Sequence, residues 1–263
     1  MQAEERQKRI EEYLQKVEFA SLEELSHHVS VSISTVRRDL TFLESAGNIR
    51  RTHGGARVLN PRSDEFAFTN RDTLQLAEKE AIGQTCAGLI LPGQSVIMDA
   101  GTTVFHVARH LEKENKSLQV ITNSLPVANH FASAQRVEVI VSGGVIYPRL
   151  GVLVGPIALD TFSKIHADVA ILSGGGITMD GITNSHALLI DMQKAMLQAA
   201  SKVIFCLDHT KFGRRSVAAL CDLDAIDVVV TDPAAPAGLV GELKSYGVEV
   251  LIAVAPPKAL PAA

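Results

Sequence analysis

Val31–Val58 reads VSISTVRRDLTFLESAGNIRRTHGGARV, and the rest of the chain is organised around it. The segment opens with Ser and Thr, whose side-chain oxygens satisfy free N–H groups in the first turn of a helix. From Ser34 to Ala46 the residues Val36, Leu40 and Leu43 share one helical face, and Gly47 stands where a left-handed residue stops a helix. With Val36 as origin and about 100° per residue, Ser34, Arg38 and Thr41 fall on the opposite face, with Arg37 beside the apolar stripe. Such a helix packs by one side and offers short hydroxyls and guanidiniums on the other, which is the chemistry that meets guanine edges and phosphates in a major groove. A solvated amphipathic helix would share the pattern.

The following residues separate the two. Asn48–Thr52 reads as a strand, His53-Gly54-Gly55 as a turn and Ala56–Leu59 as the return strand, with Arg50, Arg51 and Arg57 on this small hairpin. A basic hairpin directly after such a helix is a wing, placed to hold phosphate or enter a minor groove. Five Arg between Arg37 and Arg57 face only Asp39 and Glu44, while residues 1–60 balance at nine Lys+Arg and nine Asp+Glu. Positive charge is therefore local, which fits docking better than adhesion to any polyanion. The DNA-facing candidates are Ser32, Ser34, Thr35, Arg37, Arg38, Thr41, Arg50, Arg51, His53 and Arg57.

Arg6, Ile10, Leu14, Ser32, Thr35, Val36, Arg37, Arg38, Asp39 and Leu40 stand at the spacings of the DeoR-type helix-turn-helix signature. The chain resembles DeoR/GlpR-family transcriptional regulators. That resemblance implies an N-terminal winged helix-turn-helix and a C-terminal sugar-phosphate sensor.

Composition sets the outer bounds. The 263 residues, 46% apolar and 21% charged, suit one large or two ordinary globular domains and exclude wholesale disorder. The net charge of −4 gives no support of its own to DNA binding. Cys86, Cys206 and Cys221 are scattered, odd in number and form no CxxC, so they read as reduced thiols rather than a disulfide framework or metal site. MQAEERQKRIEEYLQK is too charged for a signal peptide, and no apolar run reaches membrane-spanning length. The expectation is a cytoplasmic protein without membrane contact, metal or cofactor.

In order, Glu4–Val17 reads as the first helix, with Ile10, Leu14 and Val17 buried, and Ser21 with Glu24 forms a capping box for the second. Residues 1–59 form the expected winged helix-turn-helix domain and the aperiodic Asn60–Leu74 a linker. From Gln75 helices alternate with apolar strands such as VIFCL and VVVT, the pattern of a parallel sheet covered on both faces. Residues 75–254 are expected to form a doubly wound, Rossmann-like α/β domain. Residues 255–263, with APPKALPAA, read as a disordered tail.

Ligands of such sheets sit beyond the carboxyl ends of the strands. Small polar residues collect there: Asp99, Gly101, Thr102 and Thr103 after one strand, Thr122, Asn123 and Ser124 after the next, Ser142, Gly143 and Gly144 after the third. Gly174, Gly175 and Gly176 follow the fourth, and Asp208 with Lys211 the fifth. Free N–H groups at helix starts favour an anion such as phosphate, carboxylates accept from sugar hydroxyls, and Lys211 adds charge. Each loop alone is ordinary strand-to-helix sequence; five on one edge are not. These segments also resemble, in order, the family's sensor domain, whose fold is similar to ribose-5-phosphate isomerase. One departure stands out. After Gly181–Asn184 relatives place a glutamate shortly before a Lys-Arg pair, whereas this helix has Asp191, Gln193 and Lys194. Asp191 is kept as the effector-facing residue of that helix.

His106 and His110 at i, i+4 lack the glutamate of a zinc-protease helix and read as exposed. Neither Ser142 nor Ser173 sits in a nucleophile elbow, so no catalytic residue is assigned. The leading expectation is a repressor of a carbohydrate or polyol catabolic operon, binding double-stranded operator DNA and released by a phosphorylated sugar or polyol. The alternative is a sugar-phosphate isomerase-like enzyme with an appended DNA-binding domain, using Asp99, Asp191 or Asp208 as base. A constitutive architectural DNA binder fits the polar edge badly. One small winged domain covers one half-site, so a homo-oligomer, dimer or tetramer, is expected.

Overall fold

A computed structural model of the chain describes residues 3–17, 19–45, 47, 49–52, 54–58 and 68–254. The chain divides into two compact units, Met1–Asn70 and Arg71–Ala263. His53, residues 60–67 of the expected linker and the tail 255–263 lie outside the described residues.

The first unit carries helices α1 (Ala3–Val17), α2 (Leu22–Val29) and α3 (Ile33–Ser45) and strands β1 (Phe19–Ser21), β2 (Ile49–Thr52) and β3 (Gly55–Val58). The capping box forms as read: Ser21 N donates to Glu24 Oε2 at 2.7 Å, and Glu24 N to Ser21 Oγ at 3.2 Å. Helix α3 starts one residue before Ser34, because Ser32 O accepts from Thr35 N at 2.9 Å and Val36 N at 3.1 Å. Gly47 follows it at φ +81°, in the left-handed region. Val36, Leu40 and Leu43 are buried against Ile10, Leu14, Leu25, Val29 and Ile49. Burying each such side chain contributes roughly 1.5–3 kcal/mol, and that shared core fixes which face of α3 stays outside.

The wing is a three-stranded antiparallel sheet in the order β1-β3-β2, with β1 an addition to the expected hairpin. Three residues, Phe-Ala-Ser, are too few to show a period. Gly55 is required where β3 crosses β1, since a Cβ there would lie 2.1 Å from Ala20 O.

Within the stretch read as linker, residues Phe68–Thr73 form a short helix, α4. The second unit then runs α5 (Leu76–Gly88), β4 (Ser95–Met98), α6 (Thr102–Lys113), β5 (Leu118–Thr122), α7 (Leu125–Phe131) and β6 (Val137–Val141). A hairpin of β7 (Val145–Tyr147) and β8 (Val152–Val154) leads to α8 (Pro156–Ser163) and β9 (Ala167–Leu172). Next come β10 (Gly176–Thr178), β11 (Gly181–Asn184), α9 (Ala187–Gln198), β12 (Ala200–Cys206) and β13 (Ala218–Cys221), and last β14 (Val228–Thr231), α10 (Ala237–Tyr246) and β15 (Glu249–Ile252).

The main sheet has the order β15-β14-β12-β9-β4-β5-β6, every neighbour parallel. Val96, Met98, Val120, Ile171, Ile204 and Val230 are buried in it with Ile82 and Cys86 of α5 and Val104 and Val107 of α6. The α/β, doubly wound class expected from the strand pattern is what forms. Strand order reverses between β4 and β9, so the crevice that suits a ligand opens beyond their carboxyl ends. Strands β10, β11 and β13 form a separate antiparallel sheet that the apolar pattern did not announce.

Candidate functional site

Helix α3 is held by its apolar face and by one largely buried ion pair. Arg6 of α1 donates from Nε to Asp39 Oδ2 at 2.6 Å and from Nη2 to Oδ1 at 3.0 Å, with Gln7 Nε2 adding a bond to Oδ1 at 3.1 Å. Asp39 is buried, and its grip raises the pKa of Arg6. Two residues of the family signature therefore orient the helix rather than face solvent. On the opposite side Ser32, Ser34, Arg37, Arg38 and Thr41 are exposed and Thr35 is half-buried. Ser32 Oγ sits 2.9 Å from Ser34 Oγ and 3.0 Å from Thr35 Oγ1. The side chains of Arg37 and Arg38 make no hydrogen bond or ion pair with any described residue, which leaves both guanidiniums available.

Arg51 is engaged within the unit. Its backbone N and its Nε donate to Glu44 Oε1 and Oε2, each at 2.9 Å, and its Nη1 donates to Thr41 Oγ1 at 2.7 Å. Thr41 Oγ1 in turn donates to Arg37 O at 2.9 Å. The backbone N–H of Arg51, first, and its charge hold the Glu44 carboxylate below its ordinary pKa. This ties β2 to α3 beside a groove of about 370 Å³ lined by Leu22, Arg37, Leu40, Glu44, Arg51, Thr52 and Gly55. Arg50 is exposed on β2, in register with Arg57 on β3. Glu44 was counted from the sequence only as an opposing charge.

In the second unit the five polar loops all leave the same edge of the parallel sheet. At the switch point Asp99 Oδ2 accepts from Gln193 Nε2 at 2.9 Å and from Ser173 N and Oγ, each at 3.3 Å. Gln193 Nε2 also donates to Ser173 O at 3.0 Å, and its Oε1 accepts from Asn184 Nδ2 at 2.7 Å. One buried glutamine thus joins the ends of β4, β9 and β11. Burial pushes the Asp99 pKa up, against the backbone N–H of Ala100, Ser173, Gln193 and the charge of Arg71. Gly101 permits this approach, because a Cβ there would come within 1.9 Å of Ser173 Oγ.

Thr102 and Thr103, buried, open α6. Thr122 Oγ1 donates to Met98 O at 2.6 Å and accepts from Ser124 N at 2.9 Å. Asn123 Nδ2 donates to Leu153 O at 3.0 Å, while its Oδ1 is buried with no hydrogen bond to any described residue. Ser124 Oγ caps α7 through Val127 N at 3.4 Å. Ser142 is buried, Gly143 and Gly144 turn at positive φ, and Gly174–Gly176 leads into β10. Asp208, also buried, accepts from Thr210 N at 3.0 Å and lies 3.9 Å from Lys211 Nζ.

Asp191 is exposed on α9, whereas Gln193 points inward to the network. Two cations that no motif marked belong to this edge. Lys79 of α5 is buried, its Nζ donates to Arg71 O, and burial lowers its pKa to about 8 against the opposing charges of Asp208 and Asp72. Arg71 Nε is buried with no hydrogen-bond partner among the described residues, and its charge acts on Asp99. A trace of Lys79 was present, since it continues the stripe of Ile82 and Cys86 at i+3 and i+7. Arg71 had none. Cations and carboxylates on one edge suit a ligand with an anionic group and hydroxyls.

His106 is buried, not exposed, because both its ring nitrogens find carboxylates. Among the described residues no group of three or more His, Cys, Asp or Glu is placed to hold a metal ion, and no helix is long and apolar enough to cross a membrane.

Residues 6–62 match the DeoR-like helix-turn-helix domain and residues 74–233 the DeoR C terminal sensor domain. The chain is 32% identical over 250 residues to the HTH-type transcriptional regulator GolR of Listeria innocua, covering 95% of this chain and 98% of that one. It is 34% identical over 252 residues to the HTH-type transcriptional regulator GlpR of Haloferax volcanii, with 95% and 98% covered. With the glycerol-3-phosphate regulon repressor of Escherichia coli it shares 32% over 251 residues, covering 95% and 99%. Among solved structures, ribose 5 phosphate isomerase A from Neisseria gonorrhoeae aligns over 55% of each chain at 15% identity and a TM-score of 0.39. With both domains matched in order and near-full-length relatives at this identity, the chain belongs to the DeoR family of transcriptional regulators.

Proposed function

We propose that this chain is a DNA-binding transcriptional repressor of a carbohydrate or polyol catabolic operon, released by a phosphorylated sugar or polyol that binds the Asp99–Asp208 edge. The observation that carries the DNA half is the pair of exposed guanidiniums of Arg37 and Arg38, without partners among the described residues, on a helix whose other side is locked to α1. The relatives' names, regulators and repressors, support the same reading. For the effector half, Arg71, Lys79 and Lys211 supply positive charge and Asp99 and Asp208 supply acceptors. A homo-oligomer places two such helices on paired half-sites.

The test has two stages. The full-length protein selects a DNA site from a random pool, and a thermal-shift panel of sugar and polyol monophosphates finds the effector, since a ligand of the folded state raises apparent stability. Adding that compound to the protein–DNA complex is expected to release the DNA. Failure to select any sequence, or ketose–aldose interconversion of the panel compounds, would overturn the proposal.

A further inference from the structure

The chain passes from the first unit to the second at Asn70–Arg71, and the residues just beyond are fastened to the sensor twice. Lys79 Nζ donates to Arg71 O. Asp72 Oδ1 lies 3.1 Å from His106 Nε2, and the other ring nitrogen, Nδ1, lies 3.0 Å from Glu80 Oε1. The His106 side chain is 0% exposed. Glu80 also accepts from Arg109 Nη1 at 2.7 Å and meets His110 Nε2 at 2.8 Å. Three elements, α4, α5 and α6, thus converge on one imidazole.

The hydrogen-bond inventory of this cluster is restrictive. A neutral imidazole donates from one nitrogen only and a protonated one from both, while ionised carboxylates only accept, so the ring's proton decides whether one or both of Asp72 and Glu80 receive a hydrogen bond. Burial pulls the His106 pKa below its ordinary value, and the charges of Asp72 and Glu80 pull it back only in part. Removing the Asp72 carboxylate leaves the ring with Glu80 as its one carboxylate among these partners. The contact is dry on the histidine side, and a hydrogen bond to an ionised carboxylate in such a place is stronger than an exposed one.

Its position gives it a role. Arg71 acts electrostatically on Asp99, and Lys79 is acted on by Asp208 and Lys211, so the fastened residues border the edge assigned above to the effector. We infer that His106 is a positioning residue for the regulatory response: by clasping Asp72 it holds residues 71 and 72 where an anion on the sensor edge acts, through Arg71 and Lys79, on the chain leading to the DNA-binding unit. The inference rests on the proposed sugar-phosphate control of DNA binding.

The test compares full-length wild type with Asp72→Ala, whose carboxylate is 29% exposed and can be removed without opening the core. Without DNA or ligand, amides of residues 68–74 are expected to exchange hydrogen at least about tenfold faster in the variant, with β4, β9 and β12 unchanged. Asp72→Asn, which keeps an acceptor oxygen for Nε2–H, is expected to restore part of that protection. In the second arm the probe is the sugar monophosphate giving the largest thermal shift with wild type. Asp72→Ala without the compound is expected to bind the selected DNA within about threefold of wild type, yet even with the compound at saturation to lose most of its effect on DNA affinity. Unchanged exchange across 68–74, or an undiminished ligand effect, overturns the inference. If wild type answers to no compound on the panel, the regulatory reading fails, and the exchange measurement still decides whether the clasp holds.

Discussion

Arg6 and Asp39, on α1 and α3, form a two-bonded ion pair at 2.6 and 3.0 Å in which the carboxylate is almost wholly buried. Removing one partner leaves the other charge partly desolvated. Arg6→Ala or Asp39→Ala is expected to lower the stability of the first unit by roughly 2 kcal/mol and to weaken DNA binding through a misdirected α3. Urea unfolding followed beside DNA titration checks this. Intact stability with lost DNA binding would mean that Arg6 contacts DNA itself.

Arg38→Ala supplies the contrast, because the Arg38 side chain holds no hydrogen-bond or ion-pair partner among the described residues. Its stability is expected to match wild type, while affinity for the selected DNA site falls by about 1–3 kcal/mol if the guanidinium grips a base edge in bidentate fashion. Equal affinities for wild type and variant would take Arg38 off the recognition surface.

Glu44 restrains Arg51 through two hydrogen bonds. Glu44→Gln keeps a polar side chain and removes the charge that competes with phosphate for this guanidinium. The expected result is tighter binding to random DNA and a salt dependence steeper by about one phosphate contact. A slope equal to that of wild type would show that Arg51 serves only to join wing and helix.

The lowered pKa of Lys79, about 8, gives a pH signature. An anion bound beside it favours the ammonium form, so binding raises this pKa and takes up a proton wherever the free protein is partly deprotonated. Effector affinity is expected to stay level from pH 7 toward about 8 and then to fall, by at most about tenfold per pH unit. Calorimetry in buffers of different ionisation enthalpy would register the proton uptake. Affinity independent of pH through this range would place the anion away from Lys79.

Gly101→Ala sets a methyl group against Ser173 Oγ, where the two would stand 1.9 Å apart. Ser173 must turn away, and Asp99 then loses donors at the switch point. A stability loss of about 1–3 kcal/mol is expected, with a larger proportional loss of effector binding, measured by thermal shift with and without the ligand.

What was legible from the residues and what was not follows the range of each signal. Val36, Leu40 and Leu43 announce α3 because helical packing repeats within a few residues, and Ser21 with Glu24 marks a helix start by direct contact across three positions. The parallel sheet shows in unbroken apolar runs such as Val203–Cys206. By contrast, Arg6 meets Asp39, Asp72 meets His106 and Gln193 meets Asp99 only because tertiary packing brings them together, and no local period reports that. His106 looked like a surface residue since its partners lie on other elements. Strands β1, β7, β8 and β10, three residues each, are too short to show alternation. On α9 the chemistry of a carboxylate singles out Asp191, which is exposed, while helical phase turns Gln193 inward to the network.

The central pairing of β4 with β9 has a consequence for how the chain is made. Val96 stands in register with Val169, so the middle of the sheet cannot close until the ribosome has passed Leu172. Strands β4, β5 and β6 can align earlier, but they remain half a sheet with one long open edge. The first unit draws its contacts from residues before Asn70 and has no such wait. Long-range parallel pairing is slow, and synthesis delivers the N-terminal unit first. During each round of translation there is thus an interval in which the helix-turn-helix unit is complete and the sensor domain has yet to exist.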